Sequence, residues 1–218
     1  SVSGLKADGT TELTLSNEHR GAIEAAFGVT NPGENTNTGE VNWTFSIPEA
    51  DLDFLAAGEE VTATFSVTVD DSRTDGAVTR DVVITLTGTN DVPTVAAALT
   101  STAEEAAEVY TLSLLAGAAD VDTSDVLSVT DVTYAVDGVA TGNDGADLPA
   151  GVTRTDATLS VDPTSAAFDG LAEGDTLVIV ASYTISDGYG GTVPQTVTVT
   201  INGTNDVPVI SGVSTAGV

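Results

Sequence analysis

The stretch VTATFSVTV at Val61–Val69 indicates the fold class of this chain. Its apolar residues stand at every second position from Val61 to Val69, and Thr or Ser fill the positions between them. A period of two is typical of a β-strand with one buried and one wet face. A second stretch, LVIVASYTI at Leu177–Ile185, has apolar residues in the same phase. The sequence therefore predicts two long half-buried strands.

The surroundings of these two stretches also recur. GTNDVP occurs at Gly88–Pro93 and again at Gly203–Pro208, each time after an alternating segment. Upstream of each strand, LDFLAAGEEV from Leu52 matches FDGLAEGDTL from Phe168 at nearly the same spacing. Gly, Pro, Asn and Asp in one short run end a strand and favour a turn. We interpret the chain as a tandem repeat, as a fixed internal period suggests.

Further alternating runs extend the prediction to the rest of each repeat. VNWTFSI at Val41–Ile47 alternates so that Trp43 is expected in the core, and DGYGG at Asp187–Gly191 predicts a hairpin turn. Many short Thr- and Val-rich strands favour an all-β fold, with a Greek-key β-sandwich in each repeat. The only helix-like segments are 53–60 and 103–108. The predicted domains are repeat 1 at 1–90, N-terminally incomplete, repeat 2 at 91–205, and the start of a further repeat at 206–218.

The composition excludes several functions. The chain of 218 residues has 33 Asp and Glu against 5 Lys and Arg, a formal net charge of −28. Binding to nucleic acid or to an anionic membrane through a basic patch is therefore excluded. There is no Cys, and His19 is the only histidine, so no Cys/His zinc site or Cys nucleophile can form. The acidic charge has two interpretations: a solvated surface, as in a protein adapted to salt water, or a chain that binds cations.

The blocks that recur also resemble a known family. TFSIPEADLDFLAAGEE followed by a strand pair and LTGTNDVP resembles the VCBS-type repeat of giant bacterial surface proteins. LLAGAADVDTSDVLSV resembles the bacterial cadherin-like form of the same sandwich. The resemblance implies two tandem Ig-like or cadherin-like domains in the extender region of an RTX-type adhesin. It also implies secretion to the bacterial cell surface and stiffening by Ca²⁺ between neighbouring repeats.

The topology predicts where acidic residues meet at the first GTNDVP turn. If the strand from Thr192 runs toward the following linker, Asp187 lies at the opposite pole, near the preceding turn. The loop after the strand at Val109–Leu115 lies at the same pole. Calcium takes six to eight oxygen ligands, which such a convergence can supply. The metal ligands predicted here are Asn90, Asp91, Asp120, Asp122, Asp125 and Asp187, with Asp53 and Glu59 from repeat 1.

The second GTNDVP turn predicts a similar site at the end of repeat 2. Its ligands would be Glu104 or Glu105, together with Asp169, Glu173, Asp175, Asn205 and Asp206. The other wall of this site would belong to a following repeat, so we expect weaker occupancy there.

We expect a structural role rather than catalysis. The leading hypothesis is a calcium-rigidified spacer that projects a distal ligand-binding domain, with no direct membrane contact. The alternatives are a module that itself binds a glycan or a protein, and accessory domains of a large secreted enzyme. The C-terminal VPVISGV has the phase that opens a repeat. It could pair with an open sheet edge of repeat 1 in a second molecule and give head-to-tail association.

Overall fold

The structure is a computed structural model that describes residues 1–30, 41–70, 74, 76–143 and 147–208. Within these ranges the chain is mostly β-strand, with one short α-helix, so the predicted all-β class is confirmed. Contacts divide it into two compact units. The first comprises residues 1–92, 120–126 and 187–191, and the second comprises residues 93–119, 127–186 and 192–218.

The first unit is built around a long antiparallel hairpin. Its regular elements are β1 Val2–Leu5, β2 Glu12–Leu13, α1 Asn17–Ala25, β3 Phe27–Thr30, β4 Asn42–Phe45, a 3₁₀ turn at Glu49–Asp51, β5 Glu60–Asp70 and β6 Ala77–Thr87. One sheet has the order β2-β1-β5-β6, and β3 pairs with β4 in a separate antiparallel ribbon. The core of the unit includes Ile23, Leu55, Val61 and Ala63, which are all fully or nearly fully buried.

The single helix was not predicted. Ser16 lies before its first turn and accepts a hydrogen bond from the backbone N–H of His19 at 3.0 Å, which satisfies a free amide at the helix start. Ile23 is its buried anchor. The imidazole of His19 stacks on Phe54 with 3.7 Å between ring centroids, so it packs as an aromatic side chain.

The two helix predictions are wrong. Residues 53–60 form turns that lead into β5, and residues 103–108 are the end of a strand followed by a turn. In both segments Ala and Glu are good helix formers, but tertiary pairing overrides this weak preference.

The second unit contains a larger sheet. Its strands are β7 Thr94–Val95, β8 Leu99–Glu104, β9 Tyr110–Ser113, β10 Ala118–Ala119, β11 Ser128–Val136, β12 Val139–Asn143, β13 Val152–Thr155, β14 Thr158–Val161, β15 Thr176–Ser186 and β16 Thr192–Asn202. The main sheet has the order β12-β11-β15-β16-β8, and a second sheet has the order β13-β14-β9. Strand β7 pairs with β10. All these pairings are antiparallel except that of β16 with β8, which is parallel.

The predicted alternation is confirmed in the hairpin of the second unit. Residues Ile179, Ala181, Tyr183 and Ile185 of β15 are buried, as are the apolar positions of β16 from Val197 to Ile201. The turn at residues 187–191 joins the two strands, as its sequence predicted.

In the first unit the same alternation holds only for the first half of β5. Val61 and Ala63 are buried, whereas Val69 is 48% exposed. Trp43 is 47% exposed, so the prediction that it lies in the core is wrong. Its strand, β4, pairs only with β3 among the described strands and has no further strand to cover this region.

The two long hairpins are alike in the backbone. Hairpins β5–β6 and β15–β16 each have the same register, which begins with Glu60 opposite Thr87 in one and Thr176 opposite Asn202 in the other. The N–H of Gly88 donates to the carbonyl of Glu59, and the N–H of Gly203 donates to the carbonyl of Asp175.

Both glycines lie against the carbonyl groups of the preceding Leu-Ala turn, where a Cβ would collide with backbone. The two GTNDVP runs therefore begin at equivalent backbone positions. The predicted domain boundaries stay predictions.

Strand pairing makes the start of the chain equivalent to a different part of β11 from the one that sequence similarity indicates. SVSGLKADG at Ser1–Gly9 resembles SVTDVTYAVDG at Ser128–Gly138, which predicts that Val2 is equivalent to Val129. In the structure Val2 pairs with Ala63, and the residue equivalent to Ala63, Ile179, pairs with Val136. Val2 therefore occupies the position of Val136, so β1 corresponds to the end of β11.

No helix in the described part of the chain is long and apolar enough to cross a membrane.

Candidate metal centre

Three separated stretches of sequence meet at the first GTNDVP turn, and all three belong to the first unit. Asn90 and Asp91 follow β6, the loop 120–125 follows β10, and Asp187 opens the turn between β15 and β16. Each stretch lies directly after a strand, so the strand ends set their positions. We call this group the acidic cluster: Glu59, Asn90, Asp91, Asp120, Asp122, Asp125 and Asp187.

Three carboxylates form the centre of the acidic cluster. Asp120, Asp125 and Asp187 each present an oxygen atom, and these oxygens lie within 4.8 Å of one another. Asp187 is 2% exposed, while the other two are half-buried. Like charges at this separation repel strongly unless a cation or a proton lies between them.

Hydrogen bonds fix the orientation of two carboxylates in the acidic cluster, those of Asp122 and Asp187. The backbone N–H of Asp91 donates to Oδ2 of Asp122 at 2.8 Å, and Asn90 Nδ2 donates to Oδ2 of Asp187 at 3.0 Å. The other oxygen of Asp187, Oδ1, accepts from the N–H groups of Tyr189 and Gly191. The turn therefore holds the Asp187 carboxylate in one place.

Several oxygens in the acidic cluster are buried and accept no hydrogen bond from the described residues. They are Asn90 Oδ1, Asp120 Oδ2, Asp122 Oδ1 and both carboxylate oxygens of Asp125. Asp122 is itself only 2% exposed. A buried polar atom normally has a partner, so these five oxygens are the atoms of the acidic cluster that a ligand could contact.

The pKa values reflect this crowding. Burial, together with the charges of Asp122 and Asp120, raises the pKa of Asp125 to about 6. Burial also raises the pKa of Asp122, partly opposed by its hydrogen bond from Asp91. For Asp187, burial acts to raise the pKa, but the hydrogen bonds from Asn90 and from the turn amides outweigh it and lower the pKa. When no cation is bound, the fold therefore keeps the ionised carboxylates of the acidic cluster close together although they repel one another.

Glu59 joins the acidic cluster through a residue that the sequence analysis missed. The hydroxyl of Ser124 donates to Oε1 of Glu59, and the N–H of Ala56 donates to Oε2 at 3.2 Å. Glu59 is 2% exposed and lies near enough to raise the pKa values of Asp122 and Asp125. Ser124 carries no sequence signal beyond its place in the acidic loop.

Gly191 is a second residue that the sequence analysis did not single out for the site. A Cβ at this position would overlap the carboxylate of Asp187 and press on Asn90 Nδ2 and the carbonyl of Asp91. The last Gly of DGYGG is therefore required by the close approach of the acidic cluster.

Oxygen donors of this number and kind suit a hard cation. Calcium binds carboxylate, amide and backbone oxygens in a flexible shell of six to eight, whereas Mg²⁺ requires near-ideal octahedral geometry and retains water. The residues present fit calcium, because the unpaired oxygens come from one amide and several carboxylates on loops. The predicted ligand Asp53 is half-buried and does not belong to the trio of carboxylates that meet.

The structure does not assemble the second predicted site among the described residues. Glu104, Asn205 and Asp206 are all exposed. Glu104 accepts a hydrogen bond from Asn202 at 3.1 Å, and Asn205 donates to the carbonyl of Asp206. The buried acid at this end is Glu105, whose Oε1 accepts from both the N–H and the hydroxyl of Thr204.

Comparisons with known proteins add little. No family model matches the chain, and no curated protein matches it. A nucleoside hydrolase-related hypothetical protein from Saccharophagus degradans, associated with carbohydrate metabolism, is 18% identical over 51% of this chain and 25% of its own, with a TM-score of 0.28. Sidekick-1 immunoglobulin domains 1–5 are 9% identical over 93% of this chain and 33% of their own, with a TM-score of 0.30. The chain thus spans a quarter to a third of these structures.

Proposed function

We propose that the chain is a pair of tandem Ig-like or cadherin-like β-sandwich repeats that bind Ca²⁺ and act as a spacer in a bacterial surface adhesin. The observation that carries the calcium proposal is the set of buried, unpaired oxygens in the acidic cluster. The equivalent hairpins and glycine turns support the tandem arrangement. The resemblance to VCBS-type repeats supports the location at the cell surface.

The mechanical part of the proposal follows from where the ligands lie in the chain. An ion held by Asn90, Asp120 and Asp187 would join a turn after β6 to two loops that lie about 30 and about 97 residues away in sequence. Because the site exists only when these segments are together, the free energy of ion binding must be given up before they can separate. Calcium then resists the separation of these segments under load, and no catalytic group is required.

Thermal melts test the calcium site. We expect the melting temperature to rise with Ca²⁺ far more than with Mg²⁺ or EGTA, because binding to the folded state alone adds about 2.7 kcal/mol at a hundredfold excess over the dissociation constant. Asp122→Asn should lose most of this response. Asp156→Asn is the matched control, since Asp156 lies outside the acidic cluster and Asn tolerates its left-handed backbone. Equal melting temperatures in EGTA, Mg²⁺ and Ca²⁺ would remove calcium from the proposal.

Single-molecule stretching tests the spacer role separately. The force needed to unfold the chain should increase with Ca²⁺ and fall back with EGTA. Calcium binding that leaves the unfolding force unchanged would contradict the spacer role and leave the metal site intact.

A second candidate is a glycan- or protein-binding module. It is favoured by the exposure of Trp43, which lines an apolar cleft of about 310 Å³ with Val67, Val69 and Val78. Exposed aromatic rings are common in binding surfaces. Trp43 is the only tryptophan in the sequence, so its fluorescence reports any ligand in this cleft.

A further inference from the structure

A comparison of the two units identifies strands of the second unit that have no counterpart in the described part of the first unit. Strand β16 is followed in its sheet by β8, whereas β6, its equivalent in the first unit, is the last strand of its sheet. Strand β14 is likewise flanked by β9, whereas its counterpart β4 pairs only with β3. Among its described strands the first unit therefore has two without the outer neighbour that their counterparts have, β6 in the sheet and β4 in the ribbon.

The burial of equivalent residues shows the consequence. Leu159 and Ile185 are fully buried in the second unit, whereas Trp43 and Val69, at the equivalent positions, are about half exposed. The inward residues of β6, Val82, Ile84 and Leu86, have the phase of buried residues in β16 but are only half-buried. An apolar face is thus left open along β6.

The edge of β6 has few of the devices that normally protect an edge strand. Such edges carry Lys, Pro or a bulge that blocks another strand from pairing. In β6 the charged residues Arg80 and Asp81 precede Val82–Thr87, and VVITLT has no charge, no Pro and no break in its register with β5. Val83 is also exposed. This segment is suited to receive a further strand.

We infer that the free edge of β6 binds residues 209–218 of a second copy of this chain as a parallel strand. The template is β8, which pairs in parallel with β16 from Val197 opposite Leu99 to Asn202 opposite Glu104. Transferred to the first unit, this register runs along Val82–Thr87.

The sequence around residues 209–218 resembles that of β8 and the residues before it. Val207 and Pro208 repeat Val92 and Pro93, and the Ser-Thr-Ala of Ser101–Ala103 in β8 recurs at Ser214–Ala216. Residues 209–218 lie outside the described residues. They contain no charged side chain, so they can approach a chain of net charge −28 without adding side-chain repulsion.

Disulfide trapping tests this register, because the chain contains no Cys. We would mix the Thr85→Cys chain with the Thr215→Cys chain in EGTA, so that the result does not depend on metal binding. In the proposed register residue 85 lies opposite residue 215, as Thr200 lies opposite Thr102. We expect an 85–215 crosslink, mapped by mass spectrometry. The control is Thr79→Cys, an exposed position on β6 outside the register, which should give no crosslink with residue 215.

Sedimentation and Trp43 fluorescence of the unmodified chain give the second measurement. Association should rise with concentration, with a shift of Trp43 emission to shorter wavelength as the open face is covered. Thr215→Pro should remain monomeric, since Pro removes the backbone N–H that the parallel pairing requires. Monomers at every concentration, equal crosslinking at positions 79 and 85, or a Trp43 shift caused only by added glycans would each overturn the proposal.

Discussion

At the scale of single residues, the chemistry of the site depends on acids whose charged neighbours are other acids. The charges that add to burial in raising the pKa of Asp125 all come from carboxylates, namely those of Asp122, Asp120, Asp187 and Glu59. Hydrogen bonds to the acidic cluster come from backbone amides, Asn90 and Ser124. Amides and hydroxyls orient the carboxylate oxygens but do not neutralise their negative charge. A bound cation would neutralise it.

The raised pKa of Asp125 predicts how the metal-free protein responds to pH. Its pKa is about 6 in the folded state against an ordinary value of 3.8, so its stabilising contribution is complete below pH 3.8 and is lost as pH rises through 6. In EGTA the wild type should lose about 1–2 kcal/mol of this contribution between pH 4.5 and pH 7.5, after allowance for solvent screening. Asp125→Asn should remove that part of the pH dependence. Urea unfolding in EGTA measures it, and parallel pH profiles for both proteins would contradict the assignment.

At the scale of elements, the β15–β16 hairpin supplies the acidic cluster with one carboxylate through a tightly constrained turn. The N–H groups of Tyr189 and Gly191 both donate to Asp187 Oδ1, so the turn backbone serves as the support for the ligand. The strands themselves are held by eleven paired positions from Thr176 to Ser186. Changes in the turn should therefore affect the site before they affect the hairpin.

Gly191→Ala is the corresponding prediction for this element. The added methyl group overlaps the Asp187 carboxylate and displaces it, which should reduce calcium affinity by about 10–100-fold, as for other changes in the support of a ligand. Far-ultraviolet circular dichroism should stay near that of the wild type. Tyr189→Ala is the matched control, because it keeps the N–H that donates to Asp187. Isothermal titration with Ca²⁺ measures the affinity, and equal affinities for the two variants would show that the close approach of Gly191 is unimportant.

At the scale of the whole molecule, the net charge of −28 and the acidic cluster have different physical effects. A general excess of negative charge destabilises the folded chain through diffuse repulsion, which any salt screens over about 10 Å at 0.1 M ionic strength. A coordinated ion acts at one place and depends on the identity of the cation.

Salt titration separates these two effects and the two interpretations of the composition. In EGTA, NaCl should raise the melting temperature gradually. Without EGTA, about 1 mM CaCl₂, which contributes almost no ionic strength, should raise it more. Asp122→Asn should retain the NaCl response and lose the CaCl₂ response. If NaCl at equal ionic strength reproduces the whole effect of CaCl₂, the acidic residues form a solvated surface only.

The sequence by itself determined the all-β class, the phases of β15 and β16, and the turn at residues 187–191. These features depend on local rules: side chains alternate across a strand, and Gly and Asp favour tight turns. It also predicted, from strand direction, that Asp120, Asp122 and Asp187 lie near Asn90 and Asp91, because successive antiparallel strands return the chain to the same end.

Only the tertiary structure decided the rest. Helix α1 forms in a polar stretch because Ile23 packs into the core and Ser16 caps its first turn. Trp43 has the same alternating phase as its neighbours yet is exposed, because burial depends on whether another strand covers the face. Periodicity tells which side chains share a face, and only the packing of distant segments determines whether that face is covered and which oxygens are left without a partner.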